Sequence, residues 1–113
     1  MKLITKTIEK NIPKLYADEE IPLKDKIIYA HYMAPLLNFD WFVYEYDPET
    51  KTFFGFANLN NEDFAELGYF TLQEFEEINK EHGFNLIERD VSFTTGTTEE
   101  ISEQYSVLKK LCR

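Results

Sequence analysis

The sequence predicts an α+β fold. It reads as a single compact domain over residues 1–113, a mainly antiparallel sheet of about five strands packed by two or three helices. Three observations carry this. Aromatic-rich runs at 41–47 (WFVYEYD), 53–56 (FFGF) and 66–70 (ELGYF) are separated by short polar turns. A capped helical stretch follows the third run directly. The chain carries 43% hydrophobic and 16% aromatic residues, enough for a core and too many for a disordered segment.

Taken in order, Thr5 caps a short helix through Asn11 that Pro13 stops, with Leu3, Ile8, Ile12 and Leu15 expected inside. The charged stretch 17–26, with Pro22, reads as a loop, and 26–33 (KIIYAHYM) as a first strand ended by Pro35. In the second strand, 41–46, strict alternation puts Trp41, Val43 and Glu45 on one face and Phe42, Tyr44 and Tyr46 on the other. Asp47-Pro48-Glu49-Thr50 has the residues of a type I turn, which makes 41–57 a β-hairpin. Gly55 inside its second arm marks a bulge or a close approach by another backbone or ring.

After the polar connection 58–63 comes a fourth strand, 66–70. Thr71 and Glu74 then form a capping box for a helix with Leu72, Phe75 and Ile78 on its apolar stripe. Gly83 supplies the left-handed residue that ends it. A fifth strand is expected over 86–93. A second capping box at Thr97 and Glu100 opens a C-terminal helix lined by Ile101, Tyr105, Leu108 and Cys112.

Charge narrows the function classes. The net charge is −9, and it is unevenly spread: residues 1–26 balance at +1, the remainder at −10. From Thr52 to Asn79 there is no Lys or Arg, while Glu62, Asp63, Glu66, Glu74, Glu76 and Glu77 accumulate. Direct nucleic-acid binding needs a cationic surface and is not expected; a basic protein partner suits this chain. No apolar run approaches the roughly 18 residues of a membrane span, and the lysine-studded N-terminus lacks the apolar stretch of a signal peptide. With the lone Cys112 unable to build a disulfide framework, a reducing cytoplasm is the expected location.

The chemical constellations favour structure over catalysis. Glu88-Arg89-Asp90 reads as part of an ion-pair network in which Arg89 bridges carboxylates such as Glu45 or Glu66 from neighbouring strands. A metal-assisted hydrolase built on Glu45, Glu88 and Asp90 is the enzymatic alternative. His31 and His82, the only histidines, have no partner at zinc-ligand spacing, and no phosphate loop or nucleophile elbow occurs. No cofactor or metal is expected. The aromatics read as core, with rings such as Trp41, Phe39 or Tyr69 at a sheet edge as a docking patch among the acids.

Lys2, Leu3, Thr5, Pro13, Leu15 and Tyr16, with the WFVYEYD, FFG, ELGYF and ERD elements in this order, cover most of the chain. In these the sequence resembles a bacterial family, domain of unknown function (DUF) family 2958. It departs where members commonly carry Lys and Thr before Pro35, here His31 and Ala34, and often Trp at the position of Phe39. The resemblance implies an accessory protein of plasmids, conjugative elements or phages. The expected function is a non-enzymatic, acidic protein-interaction module acting on a basic host protein of nucleic-acid processing or defence, with DNA mimicry as one version. Its expected surface is Glu62, Asp63, Glu74, Glu76, Glu77, Trp41 and Tyr69. A module for small molecules or peptides is the further alternative, and the oligomeric state is open.

Overall fold

The computed structural model describes residues 2–113. Its centre is a five-stranded antiparallel sheet made of β2 (Ala30–Ala34), β3 (Phe39–Asp47), β4 (Thr52–Leu59), β5 (Glu66–Thr71) and β6 (Glu88–Arg89), in the order β5-β4-β3-β2-β6. A second, two-stranded sheet pairs β1 (Ile27–Ile28) with β7 (Gly96–Thr97). Helices α1 (Lys6–Asn11), α2 (Leu72–His82) and α3 (Thr98–Ile101) complete an α+β architecture. No helix among the described residues is long and apolar enough to cross a membrane.

The hairpin β3–β4 forms as its turn residues dictate. Asp47 accepts hydrogen bonds from the Glu49 amide and the Thr50 hydroxyl, which closes the turn. Its alternation, however, is broken. The β3–β4 register shifts between Val43 and Glu45, so Tyr44 is a bulged residue. Tyr44 and Glu45 therefore share a face with Phe42, and Tyr46 rejoins Trp41 and Val43 on the other, which corrects the strict alternation over 41–46. Gly55 makes this possible. A Cβ there would collide with the carbonyl oxygen of Phe42, so the two expectations for this glycine are one feature.

Each sheet face has its own core. On one, Tyr32, Trp41, Val43, Tyr46, Phe53 and Phe70 meet Leu72 and Phe75 of α2 and Ile12 beyond α1. On the other, Phe42, Tyr44 and Phe56 meet Ile28 with Val107 and Leu108 of the C-terminal segment. The capped helix starts where expected: Thr71 accepts from the Glu74 amide at 3.1 Å. The Glu74 carboxylate takes the Thr71 hydroxyl at 3.0 Å rather than its amide. Gly83 ends the helix at φ 76.

Three elements depart from expectation. The single strand over 26–33 divides at Tyr29, and its halves join different sheets. The strand over 86–93 is reduced to Glu88–Arg89: the Asp90 amide still donates to the His31 carbonyl, and the chain then turns away, with the Ser92 and Phe93 amides bonding back to Asp90. The C-terminal helix keeps its reciprocal capping box but ends after one turn, followed by a 3-10 helix, Ser106–Cys112. A continuous α-helix burying Ile101, Tyr105 and Leu108 would leave Val107 off the contact face; the break buries Val107 and Leu108 together.

Candidate functional site

Strand β2 is shorter than β3, so the far half of β3 lacks a neighbouring strand on that side. The N-terminal segment fills the gap: the Tyr46 amide donates to the Pro13 carbonyl at 2.9 Å. The chain then crosses to the second face, where the Tyr16 amide donates to Glu45 Oε1 at 2.9 Å. Tyr16 sits at φ 69, a left-handed conformation unusual for a bulky side chain. The bulge at Tyr44 aims Glu45 at this point, and without it the carboxylate would lie on the opposite face.

Glu45 is 3% exposed and pairs with Lys26, itself 6% exposed, at 3.4 Å. The Lys26 ammonium also lies 5.6 Å from the ring centres of both Tyr44 and Phe54. This pair floors a cleft of about 380 Å³ walled by Tyr16, Phe54, Leu67 and Tyr69, with Glu19 at its side. That volume is in the range of binding clefts, roughly 300–1,000 Å³. Tyr69, 55% exposed, donates to the hydroxyl of Tyr16, 61% exposed, at 3.2 Å across the mouth. That hydrogen bond, with burial and the Glu45 and Glu19 carboxylates, pushes the Tyr69 phenol above its ordinary range. The cleft thus presents aromatic rings over a buried, internally neutralised Lys26–Glu45 pair.

Beside the cleft runs β5, which among the described residues pairs with β4 alone. The other edge, β6, is two residues long. The phase of the β4–β5 ladder follows from one bond: the Leu72 amide donates to the Lys51 carbonyl at 3.0 Å. Bonded pairs alternate along an antiparallel ladder, so Phe70, Gly68 and Glu66 turn their backbone groups to β4. Leu67 and Tyr69 turn theirs outward. The bond from the Asp90 amide to the His31 carbonyl, at the other edge, gives the same phase through the register of all five strands.

A second cluster lies across the same face. His31, 1% exposed, holds Asp90 through Nδ1 at 2.9 Å and Asp40 through Nε2 at 2.7 Å. Its ring stacks on Phe42 at 4.7 Å and meets Tyr105 at 5.0 Å. Burial, then the Asp90 and Asp40 carboxylates, push the Tyr105 phenol up. The cluster pins the segment after β6 and the start of the C-terminal 3-10 helix to the sheet. Sequence reasoning placed His31 in a strand but missed both carboxylates. Asp40 was detectable, since β2–β3 pairing sets it two residues from the His31 partner Phe42 on one face.

The expected ion-pair network does not assemble. Glu45 takes Lys26, Asp90 takes His31, and Arg89 donates from Nε to the Lys2 carbonyl at 3.2 Å. Arg89 shares the Trp41 face through Tyr32, whereas the bulge sends Glu45 to the other, and Glu66 is exposed at the far edge. Glu45, Glu88 and Asp90 share a face but do not converge: Glu45 lies past the end of β2, held by Lys26 and the Tyr16 amide, while Glu88 and Asp90 lie at the β6 edge, where Asp90 is held by His31. Among the described residues no group of three or more His, Cys, Asp or Glu is arranged to hold a metal ion.

Of the expected surface, Glu62, Asp63, Glu74, Glu76, Glu77 and Tyr69 are exposed. Trp41 is not. It is 7% exposed and packs on Phe75 at 4.8 Å, because β3 is a central strand. The acids also divide. Lys110, seated over Phe56, bonds the Glu62 and Ala65 carbonyls and ties that turn to the C-terminal side of the sheet, while α2 covers the opposite face. Strand β5 joins the two groups.

Neither a curated protein nor a solved structure gives a match to this chain. The sequence model of one family, described as "Protein of unknown function (DUF2958)", matches residues 3–108, and the chain belongs to that family.

Proposed function

We propose that this protein is an acidic protein-interaction module that engages a basic protein partner in the cytoplasm. One observation supports the reading most. Glu62, Asp63, Glu66, Glu74, Glu76 and Glu77 are all exposed, and none forms an ion pair with a Lys or Arg among the described residues. An uncompensated field of this kind speeds association with a cationic surface and makes it sensitive to salt. The tyrosine-walled cleft between the two acidic groups adds an apolar anchor, the usual complement to a charged rim. In its fullest form the reading is an accessory protein of a mobile element, directed at host nucleic-acid-processing or defence machinery, with DNA mimicry as one version.

Affinity capture from bacterial lysate tests it, with the wild type beside an E74Q/E76Q/E77Q variant. The expected result is one basic protein retained by the wild type, lost as salt rises and weakly held by the variant. Equal recovery on both, or recovery unaffected by salt, contradicts the reading.

A further inference from the structure

We infer that the partner docks as an added strand on β5, and that the segment it contributes is extended and alternates lysine or arginine with apolar residues. The inference rests on the acidic-module reading and adds the place and mode of binding. The outward N–H and C=O groups of Leu67 and Tyr69 have no backbone partner among the described residues. Edge strands are usually blunted by lysine, proline or a bulge, and β5 has none of these between Glu66 and Thr71. Strand addition uses just such groups, and pockets for alternate side chains give it specificity.

Both faces of the edge are furnished for that alternation. On the cleft side, Leu67 and Tyr69 lie beside Phe56 and Phe54, and the cleft with Tyr16 accepts apolar side chains. Above Gly68, on the other face, a Cβ would meet nothing within 4 Å, so the space next to the backbone is open there. Acids bracket the strand: Glu62 and Asp63 precede it, Glu66 opens it, and Glu74 follows in the first turn of α2. A cationic segment satisfies them. A second copy of this chain does not: antiparallel pairing about Gly68 sets Glu62 and Asp63 of one copy toward Glu74 of the other, with −9 on each chain.

The test uses a dansyl-labelled peptide of alternating lysine and valine, beside the same peptide N-methylated at every residue, which keeps the charge and removes the backbone donors of both edges. Binding is read by fluorescence anisotropy, and amide hydrogen exchange is read residue by residue. The unmodified peptide should bind at least tenfold tighter than the methylated one and slow exchange at Leu67 and Tyr69. Glu66→Lys, which places an edge-blocking cation, should weaken binding at least tenfold without changing the exchange of Gly68 and Phe70. Equal binding of the two peptides overturns strand addition and leaves the acidic-module reading standing. No binding of either at low salt overturns both. Slow exchange at Leu67 and Tyr69 without peptide, growing with protein concentration, overturns the cationic occupant in favour of a second copy.

Discussion

The backbone amide of Tyr16 donates to the buried carboxylate of Glu45, 29 residues away, and this bond holds Tyr16 at a positive φ over the cleft. Glu45 reaches that amide only because Tyr44 bulges, and Tyr44 bulges only where Gly55 lets the Phe42 carbonyl approach. A glycine in one strand thereby sets the position of an exposed tyrosine on another segment.

Glu45→Gln should destabilise the fold by about 3 kcal/mol, because it strands the Lys26 ammonium away from water. Replacing both partners, Lys26→Met with Glu45→Leu, should cost less than the single change. Urea unfolding measures both, and a single variant as stable as wild type would remove the pair from the account.

The two paired glycines of β4 and β5 should behave oppositely. Gly55→Ala forces a methyl group into the Phe42 carbonyl and should cost about 3 kcal/mol or prevent folding. Gly68→Ala meets open space and should stay within about 0.5 kcal/mol of wild type. Thermal unfolding of the pair decides; equal effects would contradict the bulge geometry.

These residues also show what was legible in the sequence. The helix caps at Thr5, Thr71 and Thr97 and the Asp47 turn are local chemistry, and all form. The bulge was half visible, because Gly55 signals a close approach without saying which strand bends. The partners of Glu45, Asp90 and Arg89 were not legible. They depend on strand order and face, and one bulged residue exchanges the faces of everything beyond it. The open edge was equally hidden, since a strand does not encode which neighbours it lacks.

His31→Phe should keep the stacking on Phe42 and Tyr105 while removing the hydrogen bonds to Asp40 and Asp90, at a cost of about 2 kcal/mol. Asp90→Ala should leave the sheet intact and speed amide exchange at Ser92 and Phe93, which follow the pin. Unchanged exchange there would show that the segment is held by other contacts.

Stability should fall at alkaline pH. Burial pushes the Tyr44 phenol up to about 12, against a partial opposing effect of its hydrogen bond with Thr98. Tyr32 is pushed up by burial as well. A raised folded value means full stability below the unfolded value, about 10, and loss as pH climbs toward 12. For Tyr44 alone the loss is roughly 2–3 kcal/mol. Tyr44→Phe should cost about 1 kcal/mol at neutral pH and flatten the decline between about pH 10 and 12. Melting curves across that range check the slope, and an unchanged slope would contradict the burial of the phenol.

The most direct test of the central claim is a chemical-shift map of the isotope-labelled protein titrated with the lysine-valine peptide at low salt. The largest changes should fall on Tyr16 and on β5 from Glu66 to Thr71, and they should shrink together as salt is raised. Changes confined to β6 and the His31 cluster, or a map indifferent to salt, would contradict that claim.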